Sequence, residues 1–143
     1  MDRTPREVAE LIRRRVAGED IPYSTLFAED GVMRYPFAPP GMPKELVGRD
    51  ALTAYHDTNN RRGLIDMRGV DLIVRETDDP EVVVAEIEHH GTVVATGEEY
   101  RIRSLGIIRV RDGWIVSYDD YMNPIAMAEV LGMKRELAAA LTA

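Results

Sequence analysis

The chain predicts an α+β fold in which helices are segregated against a curved antiparallel sheet. Three observations carry this. The first half places apolar residues at helical spacing, at Val8, Leu11, Ile12 and Val16 and again around Leu52 and Tyr55. From Val70 onward the period changes to two. The turn signals "TDDP", "TG" and "RDG" then divide that half into long strands over roughly 68–76, 82–95, 99–110 and 114–122. No repeat, linker or low-complexity segment interrupts the pattern, so 1–143 reads as one domain.

In chain order, Thr4-Pro5-Arg6-Glu7 is a capping box with proline at the first helical position, and Gly18 ends that helix. Asp20 is expected to cap a shorter piece, "IPYSTLF", that presents Tyr23, Leu26 and Phe27. "EDG" is read as the turn into a strand from Val32 to Phe37. "PFAPPGMP" packs four prolines between residues 36 and 43, too many for a helix or a central strand, and is read as a stiff loop at the rim of the site. A helix from Asp50 to Asn60 sets Leu52, Tyr55, His56 and Asn59 at neighbouring positions. Asn123-Pro124 caps a last helix with Met127, Val130 and Leu131 inward, continuing weakly to Leu141.

Composition narrows the function. With no cysteine, disulfides, thiolate zinc sites and thiol nucleophiles are excluded. A formal charge of −7 argues against nucleic acid. "RRR" at 13–15 is read as one solvated helix face. No apolar run is long enough for a membrane span, and "MDRTPREVAE" lacks a signal-peptide core, so a cytoplasmic setting is expected. No dinucleotide fingerprint, P-loop or G-x-S-x-G is present, and no cofactor is expected. Three histidines make a multi-histidine metal centre improbable.

The candidate site begins at "WIVSYDDYMNP", a strand that ends in two adjacent carboxylates between tyrosines. Adjacent strand residues face opposite ways, so Asp119 and Asp120 divide between the two faces. Asp120 in an apolar interior would have a raised pKa and could move protons near neutrality. Otherwise it is a strand-end carboxylate in water or paired with an arginine such as Arg101. Ile115 is out of phase with Val116, Tyr118 and Asp120, and a bulge, for which Gly91 or Gly106 is a candidate, would invert the phase. His56 is a candidate base or donor, or a surface histidine. Tyr23, Tyr35, Tyr100 and Tyr118 could donate to an enolate oxygen, or serve only as core. Glu86, Glu88 and His90 share a face at period two. A solvated strand face, or salt bridges to Arg101 and Arg103, explains them more simply than a metal, and no metal is expected.

"LFAEDGVMRYPFAPPGMPKELVGRDAL", "ETDDPEVVVAEIEHHG" and "DGWIVSYDDYMNP" together resemble the nuclear transport factor 2-like superfamily, and within it the SnoaL-like and PhzA/PhzB-like proteins. The resemblance covers nearly the whole chain. It implies a cone-shaped curved sheet wrapped around the N-terminal helices, a deep apolar pocket, and a homodimer formed through the sheet. Such proteins act on small molecules by acid–base groups, without metal or organic cofactor, and some members only bind. The family's last-strand glutamate falls at Asp120, one methylene shorter. Its helix histidine falls near Tyr55, whereas the histidine here is His56, a step that rotates a helical side chain by about 100°.

The expectation is therefore an isomerase, cyclase or dehydratase acting on a small, largely apolar carbonyl compound. Asp120, His56 and Tyr35 would carry the chemistry. Tyr23, Phe27, Met33 and Tyr55 would line the pocket with Tyr100, Tyr118 and Met122. A non-catalytic binding protein, or a dimeric module with a vestigial pocket, are the alternatives.

Overall fold

The computed structural model describes residues 2–60 and 63–143, with backbone only at 58–60. Helix α1 (Pro5–Val16) starts as its cap predicts, with Thr4 Oγ1 accepting from the Glu7 amide at 3.1 Å. It buries Val8, Ala9 and Ile12, with Leu11 and Val16 packed at the edge. A single 3₁₀ turn (Tyr23–Thr25) follows, and here the structure corrects the sequence reading. Asp20 does not cap it. Pro22 holds the N-cap position with its ring-fixed φ of −64°, and no side chain closes the turn.

Strand β1 (Phe27–Arg34) begins before "EDG", not after it, and ends short of Phe37. Its register against β6 (Trp114–Tyr121) jumps from Phe27↔Ile115 to Val32↔Ser117, so Glu29, Asp30 and Gly31 lie in an irregular stretch within the strand. Gly31 is required there, since a Cβ would stand 2.9 Å from the Ile115 carbonyl oxygen. "PFAPPGMP" is indeed loop, and its Ala38 and Met42 pack against the core. It leads into a short strand β2 (Glu45–Val47), which the sequence did not reveal. Helix α2 (Arg49–Asn60) follows, and the Asn59 side chain lies outside the described residues.

Strands β3 (Ile65–Glu76), β4 (Val82–Val93) and β5 (Glu99–Arg111) complete a six-stranded sheet ordered β2-β1-β6-β5-β4-β3. Every pairing is antiparallel except β1 with β6, which run parallel because both start at the same end of the sheet. Asn123 caps α3 (Pro124–Leu131), its Oδ1 accepting from the Ile125 and Ala126 amides at 3.1 Å. In that helix Ala128, rather than Met127, Val130 or Leu131, is the buried residue. Gly132 at φ +69° then stops it, and α4 (Lys134–Thr142) is a separate helix with nothing buried.

Helix α1 packs across β3, β4 and β5, and α2 against β1 and β2. The inner face of the sheet carries Val70, Val83, Ala85, Ile87, Ile108 and Val110, all buried. The outer face carries Glu86, Glu88, Arg101 and Arg103 beside exposed Ile73, Leu105 and Ile107. No described helix is long and apolar enough to cross a membrane.

Candidate active site

The phase question in the last strand is decided by a bulge, although at neither glycine. Val110 pairs with Ile115 and Arg109 with Ser117, which leaves Val116 as the extra residue on β6. Ile115 and Tyr118 therefore both reach the inner face and are buried. Asp120 follows Tyr118 inward, opposite Gly106. Asp119 turns outward, where its Oδ1 accepts from Arg34 Nη1 at 2.8 Å. Gly91 stands instead opposite a second bulge, where the register of β3 shifts between Met67 and Gly69.

Asp120 is the site's central group. Its Oδ1 is sealed from solvent and has no hydrogen-bond partner among the described residues, although the residue as a whole keeps partial exposure. A carboxylate without donors in an apolar place prefers its proton, and burial pushes its pKa up from 3.8 to about 6. Arg101 does not rescue it, because Arg101 pairs with Glu88 on the other face. Phenols surround it. The Tyr118 hydroxyl is driven well above its ordinary range by burial and then by the Asp120 charge, and Tyr35 shifts the same way from burial, Tyr23 and Asp120. Gly106 makes room for this arrangement, since a Cβ there would meet the Tyr118 ring and hydroxyl at 2.9 Å.

His56 does enter the interior. Its Nε2 lies 2.8 Å from the Tyr35 hydroxyl, and its ring packs 5.1 Å from Tyr23 and 5.4 Å from Tyr55. Burial, with the nearby Arg15 charge, lowers its pKa from 6.5 to about 4, so the imidazole is neutral at pH 7. The Tyr35 hydroxyl also donates to Met33 Sδ at 3.4 Å, a weak acceptor. Tyr23 meets Phe27 edge-on at 5.4 Å, and Phe27 stacks over Tyr118 at 6.5 Å. Met122 packs against the same core.

Tyr100 is the candidate that the structure separates from the others. It shares the inner face, but six residues along β5 from Gly106, about 20 Å at strand rise. There its hydroxyl lies 3.1 Å from His89 Nδ1. Glu86 and Glu88 are held on the outer face by Arg75, Arg101 and Arg103, so the ion-pair reading holds for them; the His90 ring on the same face occupies the space a Cβ at Gly69 would need. Two surface hollows, each of about 360–370 Å³, lie between the start of α1 and the 76–83 turn and beside Arg49. Neither touches Asp120.

One residue near the site was misread from sequence. Arg13 and Arg14 are solvated and paired with Glu10 and Glu19, as a helix face of arginines should be. Arg15 instead lies over the Tyr23 ring, 3.7 Å from its centroid, with Nη1 donating to the Ile21 carbonyl oxygen. The position of Arg15 on the α1 helix, three residues past the buried Ile12, was the available signal.

A model of the SnoaL-like domain matches residues 9–118. The uncharacterised protein YesE of Bacillus subtilis is 33% identical over 110 residues, covering 77% of this chain and 74% of its own. An uncharacterised PhzA/B-like protein of Pseudomonas aeruginosa is 31% identical over 107 residues, 75% of this chain and 74% of its own. Among solved structures, a candidate isomerase from Bacillus subtilis superposes with a TM-score of 0.78 at 31% identity, over 90% of this chain and 92% of that one. A phenazine biosynthesis-related protein of Pseudomonas aeruginosa matches in fold with a TM-score of 0.61 at 23% identity, over 93% and 88% of the two chains.

Proposed function

The chain belongs to the SnoaL-like domain family, and on that premise we propose that it is a cofactor-independent acid–base enzyme of isomerase, cyclase or dehydratase type. Its substrate would be a small, largely apolar carbonyl compound, in a cytoplasmic setting. The observation that carries this reading is Asp120: a carboxyl group whose sealed Oδ1 has no partner among the described residues and whose charge is felt at the Tyr23, Tyr35 and Tyr118 phenols.

In the mechanism, ionised Asp120 takes a proton from the carbon beside the substrate carbonyl, leaving an enolate. A phenol donates a hydrogen bond to the enolate oxygen, where preorganised donors are worth most because water is excluded. With its proton on Nε2, His56 donates to the Tyr35 oxygen and leaves the Tyr35 O–H to the sulfur of Met33, an acceptor that a developing oxyanion readily displaces. The proton on Asp120 then returns to a different carbon in an isomerisation. In a cyclisation the enolate carbon attacks a second carbonyl, and the new alkoxide takes the proton. No step needs an oxidant or a metal.

The outer face supports one further part of the reading. Exposed Ile73, Leu105 and Ile107 amid arginine–glutamate pairs have the make-up of an interface, and a second copy of the chain would dock there. Sedimentation at micromolar concentration, with Ile107→Glu as the disrupted form, checks it.

The test of the central claim is the Asp120 pKa, read by carboxyl-carbon NMR with Asp120→Asn for assignment. A value near 6 supports a desolvated acid. A value at or below that of a free aspartate, about 3.9, removes the chief residue and makes a non-catalytic binding protein the better reading. Among candidate substrates, Asp120→Asn should cut turnover by about 10²–10⁴-fold, the usual contribution of a general base.

A further inference from the structure

The inward arginine is not used by the proton chemistry. Its two neighbours in "RRR" each pair with a glutamate at 2.6–2.7 Å. Arg15 forms no ion pair among the described residues, in a chain where acids outnumber bases by 25 to 18. Its guanidinium is instead fixed on two sides. One face rests on the Tyr23 ring, whose hydroxyl also has a hydrogen-bonding contact with the guanidinium, and Nη1 is bound to the Ile21 carbonyl oxygen. A guanidinium offers five N–H donors in a rigid fork, so these contacts leave donors unspent.

Its location matters more than its spare donors. The Tyr23 ring beneath it touches the His56 ring, and His56 is bonded to Tyr35, so Arg15 stands one aromatic ring away from the proposed reaction centre. Its charge reaches inward, acting on both Tyr23 and His56. Asp57 is felt at both residues and Asp120 at Tyr23, but among the described residues no carboxylate comes within 4.0 Å of the Arg15 guanidinium. A positive group held over an aromatic ring at the edge of an apolar interior, with no contact ion pair among the described residues, is suited to take one from the ligand.

Resting on the reading of this interior as a substrate site, we propose that Arg15 anchors a negatively charged substituent, so that the site takes an anionic carbonyl compound, a carboxylate or an acidic enol, in preference to a neutral one. The anchor fixes the orientation of the substrate. It puts the charged end at Arg15 and the reacting carbons toward Asp120, and it offsets the repulsion that the Asp120 carboxylate exerts on an incoming anion.

Benzoate and benzamide test this, being planar aryl carbonyl compounds of one size that differ in charge. The readout is titration of the His56 imidazole signals of the whole chain at pH 7, with wild type, Arg15→Gln and Arg15→Lys. Benzoate is expected to shift His56 and to bind at least tenfold more tightly than benzamide. Arg15→Gln should weaken benzoate at least tenfold and leave benzamide unchanged, while Arg15→Lys keeps most of the benzoate affinity. Bound benzoate, but not benzamide, should also raise the His56 pKa by masking the Arg15 charge. Equal binding of the two probes to the wild type overturns the anion preference and leaves the pocket reading standing, whether or not the variants fold. An equal loss of both probes in Arg15→Gln shows a structural arginine and likewise overturns it. Silence of His56 toward both probes overturns this proposal and the pocket reading together.

Discussion

Asp119 and Asp120 are neighbours in sequence, yet they belong to two different chemical worlds. On the outer face of the sheet three carboxylates are matched: Asp119 with Arg34, Glu86 with Arg75 and Arg103, Glu88 with Arg101 and Arg103. Glu88 is correspondingly held below its ordinary pKa by hydrogen bonds from Arg101 and Arg103. On the inner face Asp120 Oδ1 finds no hydrogen-bond donor among the described residues, and burial moves its pKa the other way. The same functional group is a tie on one side and a desolvated carboxyl on the other. Surroundings decide which, and the surroundings are set by a single extra residue, Val116.

The difference between the two faces should show in stability as well as in turnover. Because the folded pKa of Asp120 lies above its unfolded value, the native state binds more protons than the unfolded one between about pH 4 and 6, and stability falls as pH rises through that window. Asp120→Asn removes the penalty. Urea melts should show the variant more stable at pH 8, by about 1–3 kcal/mol given the shift and the partial exposure, and no gain at pH 4. Asp119→Asn, the outer-face counterpart, should show no such gain.

Gly106→Ala comes next. The added Cβ must displace the Tyr118 ring, so a loss of about 1–3 kcal/mol is expected. Turnover should fall with it if Tyr118 belongs to the reaction centre. Unchanged stability would mean that Tyr118 relaxes without cost and that the glycine is not needed for the site.

His56, also buried on the inner side, has the opposite pH dependence. Its folded pKa is depressed, so the unfolded chain takes up its proton first, and stability is lost as pH falls from about 6.5 toward 4. Asp120 acts oppositely over much of that range. Relative to wild type, His56→Gln should therefore gain stability on acidification through this window, while Asp120→Asn should lose it. Chemical denaturation across pH 4–7 reads both slopes, and variants with parallel curves would contradict the burial of these two groups.

The smallest effect is expected outside. Glu88→Gln breaks ion pairs with the exposed Arg101 and Arg103, so only a small loss, screened by salt, is expected. A loss well above that, or one insensitive to 0.5 M salt (screening within roughly 4–5 Å), would mean that the outer face is buried in the working protein, as a second copy docked there would make it.

Much of the frame was legible along the chain because its causes are local. The Thr4 and Asn123 caps, the helical spacing of Val8 and Ile12, the proline-dense loop and the four long strands all depend on residues within a few positions of each other. Long-range effects were not legible. The 3₁₀ turn at Tyr23, the early start of β1 and the strand β2 depend on partners far away in sequence, such as the Ile115 carbonyl that closes on Gly31.

The site divides in the same way. Sequence alone determined its inventory: an acid at the end of the last strand, a helix histidine, and tyrosines enough to surround them. It could not determine which of these meet. A one-residue bulge reverses every following side chain, so only the paired sheet could send Asp120 inward and Asp119 to Arg34. Only packing could bring His56 onto Tyr35, leave Tyr100 with His89 at the far end of β5, and draw Arg15 away from its solvated neighbours onto Tyr23. Periodicity assigns a residue to a face. Which charge that face will hold, and beside what, is a property of elements that touch only after the chain has folded.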